Sequence, residues 1–253
     1  MKRLVLFALL ALAFPFGPPA AGAASPVKNI VLVHGAFADG SSYARVIPLL
    51  QARGFNVVAV QNPLSSLAAD VAATKRALAQ IQGPVILVGH SWAGMVISEA
   101  GNDSKVKGLV YIAAIVPDKG QNTGDVLKGY PNPPGLAQTK ADAYGYLSLT
   151  RDGVAEDFVP DLSPSEQAVV FATQGPWNSA ALKERVMHPA WLTKPSWFIA
   201  VNDRMLSPQY ERNIAKRIHA TTTILTSGHV AMLSQPQKVV GVIVDAANKA
   251  AGQ

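Results

Sequence analysis

Cysteine is missing from all 253 residues, which excludes a disulfide framework, a thiolate metal site, a thiol nucleophile and a lipid-modified cysteine. Charge is scarce, at 15% against 49% hydrophobic residues, so a long disordered segment is excluded and one globular domain is expected. No self-similarity recurs at a repeat period of roughly 20 to 50 residues, which removes solenoids and propellers. There is no H-E-x-x-H, no histidine or acidic cluster at ligand spacing and no G-x-G-x-x-G after a strand, so neither a metal nor a cofactor is implied. Basic residues form no stripe and are not interleaved with aromatics, so nucleic acid is not an expected partner.

The first residues carry a basic start (Lys2, Arg3), an apolar run from Leu4 to Phe16 broken by Pro15, and a small-residue stretch from Ala20 to Ala24. This pattern predicts a signal peptide over residues 1–24, cleaved near Ala23 or Ala24, and places the mature protein in the periplasm or outside the cell. Cleavage removes Lys2 and Arg3, so the formal charge of +6 falls to +4. The remaining apolar runs are strand-length, well short of the ~20 residues a spanning helix needs, so no stable membrane insertion is expected.

Beyond the leader, residues 25–253 alternate short β-branched runs with helical patterns, the mark of a mostly parallel sheet with helices on both faces. The expected strands are Asn29 to Val33, Asn56 to Val60, Val85 to Val88, Val106 to Ala113, Ser196 to Val201 and Thr222 to Leu225. Their near-continuous apolar character fits strands buried on two sides. Expected helices run from Ser42 to Arg53, Leu67 to Ile81, Trp92 to Gly101, Pro208 to Arg217 and Pro236 to Ala250. The stretch at about 121–194 breaks the rhythm and is richer in Pro, Gly, Asn and aromatics. An unstructured loop of that length is improbable in a compact domain, so it reads as a mostly helical cap insertion over the strand ends.

The chemistry concentrates in Val85-Ile-Leu-Val-Gly89-His90-Ser91-Trp92-Ala93-Gly94, a buried strand running through a small-residue turn into a helix. This is the context of a nucleophile elbow, which holds a serine in a strained backbone conformation with its hydroxyl clear of the sheet. Ala93 stands where the G-x-S-x-G pattern has its second glycine, and Gly94 follows it at once. A serine hydroxyl needs a base, itself oriented by a carboxylate, and on this kind of sheet they follow in the order serine, acid, histidine. His229, in the small-residue loop Thr226-Ser-Gly-His229 after the last strand, is the candidate base, and His219 reads as a solvated or capping residue. Asp203, just beyond the strand from Ser196, is the candidate acid, with Asp118 as the fallback. The first strand ends in His34-Gly35-Ala36-Phe37, so the expected oxyanion donors are the backbone N–H groups of Trp92 and of Ala36 or Phe37. His34 and His90 read as structural.

HGAFADGSSYARVIPLL, VGHSWAG and SGHVAMLSQP together resemble the small bacterial α/β-hydrolases related to plant methylesterases and hydroxynitrile lyases. The resemblance runs from about Asn29 to Ala247, strongly in these three motifs and weakly in the cap. It implies the α/β-hydrolase fold, matches Ser91, Asp203 and His229 to the triad, and matches Ala36 or Phe37 with Trp92 to the oxyanion hole. The lyases of that group place a lysine directly after the histidine, whereas Val230 stands here. The expectation is therefore a serine esterase acting on small acyl or aryl carboxylic esters through an acyl-enzyme. The competing readings are a non-catalytic small-ligand-binding homologue and a cofactor-free lyase or perhydrolase.

Overall fold

The computed structural model describes residues 27–250, so the expected signal peptide and its cleavage point near Ala23 or Ala24 lie outside the described residues. In chain order the first half comprises β1 (Asn29–Val33), α1 (Ile47–Gln51), β2 (Asn56–Val60), α2 (Leu67–Ala79), β3 (Val85–His90), α3 (Ala93–Ala100) and β4 (Val106–Ile112). An insertion follows, with α4 (Thr123–Leu127), β5 (Thr139–Ala141), β6 (Tyr146–Leu149), α5 (Pro164–Thr173) and β7 (Trp177–Asn178). The chain closes with β8 (Ser196–Ala200), α6 (Pro208–Arg217), β9 (Thr221–Ile224), α7 (Ala231–Ser234) and α8 (Pro236–Lys249).

Six strands pair in parallel in the order β2-β1-β3-β4-β8-β9. Every residue of β1, β3 and β8 is buried, as continuous apolar runs require of strands covered on both faces. The helices form two layers, α2 packing on α3 and α8 packing on α1, each against the sheet. Each fully buried Ile, Leu or Val in these strands contributes about 1.5–3 kcal/mol. The order reverses after β1: its partner on one side is β2 and on the other β3. Such a switch point opens a crevice at the strand carboxyl ends, and residues 34–37 and 89–91 meet there. No helix among the described residues is long and apolar enough to cross a membrane.

Two expectations are revised. The helix foreseen from Ser42 to Arg53 is split into a 3₁₀ turn at Gly40–Tyr43 and α1. Pro48 lies in the first turn of α1, where its lack of an N–H costs nothing, and it cannot continue a helix arriving from Ser42. The insertion is less helical than foreseen. Besides α4 and α5 it holds the antiparallel sheet β5-β6-β7. Asp142 Oδ1 accepts the N–H groups of Tyr144 and Tyr146 at 2.8 and 2.9 Å, closing the β5–β6 turn through Gly145 at φ +81°.

Candidate active site

Ser91 directly follows β3, in the left-handed region at φ +54°. A non-glycine residue is strained there, so the surroundings must impose it. Ser91 N–H donates to Ile112 O at 3.0 Å, and its carbonyl accepts from Gly94 at 2.9 Å and Ile115 at 3.1 Å. The close approach that demands glycine falls at Gly94, where a Cβ would lie 2.3 Å from the carbonyl oxygen of Ile115. Ala93 is fully buried without such a demand, so the elbow accommodates the departure from G-x-S-x-G. Trp92, also fully buried, donates its indole N–H to Asp70 Oδ2 at 2.8 Å, and Asp70 Oδ1 accepts Leu64 N–H at 2.8 Å. Burial pushes the Asp70 carboxyl upward, and these two donors partly offset it.

The loop after β1 is held by His34. Asn62 N–H donates to His34 Nε2 at 2.9 Å, so the proton sits on Nδ1, which donates to Gly35 O at 2.9 Å. Gly35 packs directly under Ser91: a Cβ there would stand 2.7 Å from the Cβ of Ser91. Phe37 is also left-handed, at φ +58°. The backbone N–H groups of Ala36, Phe37 and Trp92 donate to no protein acceptor among the described residues.

His229 follows β9 and is 1% exposed. Its Nδ1 lies 2.5 Å from Asp203 Oδ2, and Asp203 Oδ1 accepts Met205 N–H at 2.6 Å. A carboxylate only accepts, so Nδ1 carries the proton and Nε2 is left as the basic nitrogen. Burial works against the charge on Asp203. The charge of His229 and hydrogen bonds from His229, Glu211 and Met205 more than offset it, and its carboxyl sits below the usual range. The fallback acid Asp118 is instead on the surface, paired with Arg217 at 2.7 Å. His219 is exposed at the end of α6.

Ser91 and His229 line one cavity of about 220 Å³ with Ala36, Phe37, Trp92 and, from the insertion, Leu127, Leu147 and Trp177. No hydrogen bond joins Ser91 Oγ to His229 among the described residues, and such contacts commonly tighten only once substrate is bound. His90 is structural. It lies against the His229 ring, and its Nε2 is 3.0 Å from the His229 carbonyl. Burial first, and the His229 charge second, hold the His90 imidazole neutral, far below its usual pKa.

Three supporting residues escaped the sequence reading. Phe158 ends a π-helical turn and packs on the His229 ring at 5.4 Å. Asp161 accepts from Gly228 N–H at 2.9 Å and Ser227 Oγ at 3.1 Å, bracing the histidine loop from the insertion. Glu211 is wholly buried on α6. Only Glu211 left a trace in the pattern, as an acid within the stripe Glu211, Ile214, Ala215, Ile218 at i, i+3, i+4, i+7.

The model of the alpha/beta hydrolase family matches residues 30–242, nearly the whole described chain. The protein is an α/β-hydrolase. Among its relatives this α/β-hydrolase is 27% identical to a pyrethroid hydrolase of Sphingobium wenxiniae, the match covering 88% of each chain. It is also 27% identical to salicylic acid-binding protein 2 of Nicotiana tabacum, over 88% of this chain and 98% of that one. The structure of a pyrethroid hydrolase from Sphingobium faniae superimposes with a TM-score of 0.75 at 25% identity, covering 87% of this chain and 97% of that one. Polyneuridine aldehyde esterase, at 19% identity and a TM-score of 0.75 over 86% of this chain and 98% of that one, shares the fold. The relatives therefore include hydrolases and esterases of this family, related to the plant methylesterases.

Proposed function

We propose that this α/β-hydrolase is a serine esterase cleaving apolar carboxylic esters through an acyl-enzyme. The observation that carries the reading is the 2.5 Å His229–Asp203 pair opening onto the cavity in which Ser91 stands on a left-handed elbow. His229 Nε2 takes the Ser91 proton as Oγ attacks the ester carbonyl. The unpartnered N–H groups of Trp92 and of Ala36 or Phe37 hold the oxyanion, each donor contributing on the order of 3 kcal/mol. His229 then passes the proton to the departing alkoxide, and water releases the acid by the same steps in reverse.

The apolar lining suits a small acyl group beside Ser91. A second cavity of about 360 Å³ shares Phe37 with the first and is walled by Phe158, Val230, Leu162 and Val170. Phe158 and Val230 place it on the His229 side, where the leaving group receives its proton, so it takes the alcohol portion. The leader pattern supports a site of action in the periplasm or outside the cell.

Turnover of p-nitrophenyl acetate and butyrate by the wild type and Ser91→Ala, with fluorophosphonate labelling and mass spectrometry, tests this. Activity and a label on Ser91, both lost in the variant, are expected. A wild type that neither turns over nor labels would replace the esterase with a ligand-binding homologue, a role one relative's name carries. Cyanide release or peracid formation in place of hydrolysis would point to lyase or perhydrolase chemistry.

A further inference from the structure

Of the buried acids outside the triad, Glu211 is the one with an unpartnered carboxylate oxygen among the described residues. Glu211 has one carboxylate oxygen, Oε2, accepting Val201 N–H at 2.9 Å. The other, Oε1, is buried with no hydrogen-bond partner among the described residues. Glu211 neighbours the Asp203 carboxylate, since the Val201 N–H that it accepts lies two residues before Asp203 and both side chains are buried. Asp203 already accepts from Met205 and His229. The charged and titratable groups acting on Glu211 are Asp203, Tyr210 and the exposed Arg212, while His229 acts on Asp203. None places a cation between the two carboxyls, and two buried carboxylates in contact cannot both be charged. Asp203 has the stronger claim to the charge, with a backbone donor and the imidazole, whereas Glu211 has one backbone donor.

We propose that Glu211 is a neutral carboxylic acid that donates its proton in a hydrogen bond to Asp203, a positioning residue that keeps Asp203 ionised and aimed at His229. Burial, and then the negative charge of Asp203, push the Glu211 carboxyl well above its usual range, in accord with the geometry. The orphan oxygen is thereby explained as a donor, and Asp203 gains a third hydrogen bond. The catalytic part of this role rests on the triad reading above, whereas the protonation state stands apart from it.

The test compares wild type with Glu211→Gln, which keeps both a donor and an acceptor. Above about pH 4.3 Glu211 ionises when the chain unfolds but stays protonated when folded, so the wild type loses stability as pH rises. Its unfolding constant is expected to climb relative to that of Glu211→Gln by up to about tenfold per pH unit, until Glu211 ionises in the folded state. A ratio that stays flat between about pH 5 and pH 8 would overturn the proposal. Glu211→Gln is expected to keep kcat/KM within about threefold, whereas Glu211→Leu, which cannot donate, loses at least about tenfold in kcat with little change in KM. The low-field proton resonance of His229 Nδ1–H is expected to move in Glu211→Leu and not in Glu211→Gln. Equal impairment of the two variants would also overturn the proposal. If the wild type hydrolyses no ester while the pH slope and the resonance behave as described, the esterase reading falls and the neutral acid stands.

Discussion

Replacing Gly94 by alanine tests the elbow at its tightest point. The added Cβ would lie 2.3 Å from Ile115 O and 2.9 Å from Ile115 C, and real Cβ contacts essentially never fall below 3.0 Å. At least about 0.7 Å of backbone movement is therefore needed. Both residues involved are tied to Ser91, since Gly94 N–H and Ile115 N–H each donate to Ser91 O. The clash cannot be relieved without shifting the serine itself. Overpacking of this kind costs about 1–3 kcal/mol, or roughly 2 to 12 °C in Tm for a domain of this size. A shift near 1 Å in a reacting group costs on the order of a hundredfold in rate. Thermal unfolding and p-nitrophenyl butyrate turnover measure the two effects separately. The control is Ala93→Gly, which restores G-x-S-x-G and is expected to keep activity within about threefold, losing about 1 kcal/mol of stability from the start of α3. Wild-type Tm and kcat/KM in Gly94→Ala would refute the reasoning.

Asp203→Asn is expected to lower kcat by about 10⁴, as loss of the acid favours the wrong imidazole tautomer. Because the Asp203 carboxyl is held low, the stability it confers is full above about pH 3.9 and is lost as pH falls through its folded value, so the variant's acid denaturation limb is shallower. Asp70→Ala orphans two buried donors, Trp92 Nε1–H and Leu64 N–H. It costs about 1–3 kcal/mol for each, read by denaturant unfolding. Val170→Trp fills the groove beside α5 and is expected to raise KM for a bulky aryl alcohol ester by tenfold or more while sparing the methyl ester of the same acid. Equal effects on both esters would show that the alcohol lies elsewhere.

The parallel sheet was legible in the sequence because its central strands are buried on two sides and announce themselves as unbroken apolar runs, Val85 to Val88 above all. Ser91 was legible because such a run ends in a small-residue turn, whereas His229 was legible from its small-residue turn alone, since β9 before it is a threonine run with three of its four residues exposed. The insertion was not. Its strands β5 and β7 are two or three residues long, too short to show a period of two, and its helix α5 buries no side chain completely, so little amphipathic signal exists. Asp161 and Phe158 act on the histidine loop across more than 60 residues of chain, a relation that no local pattern encodes. Glu211 could have been found by asking why an acid interrupts the apolar stripe of α6.

Strand β9, which delivers the histidine loop, is the last in the sheet and has a single strand partner, β8. Three of its four residues are exposed, Ile224 to 65%, whereas β3, which delivers the serine, is flanked on both sides and wholly buried. The loops that carry His229 and Ser91 thus belong to regions of unequal local stability. On warming, the border strand is expected to open while the interior of the sheet still holds, so hydrolysis fades below the temperature at which the helices melt. Catalysis would then act as an early-warning gauge of the sheet's margin, reporting its fraying before any spectroscopic sign of global unfolding.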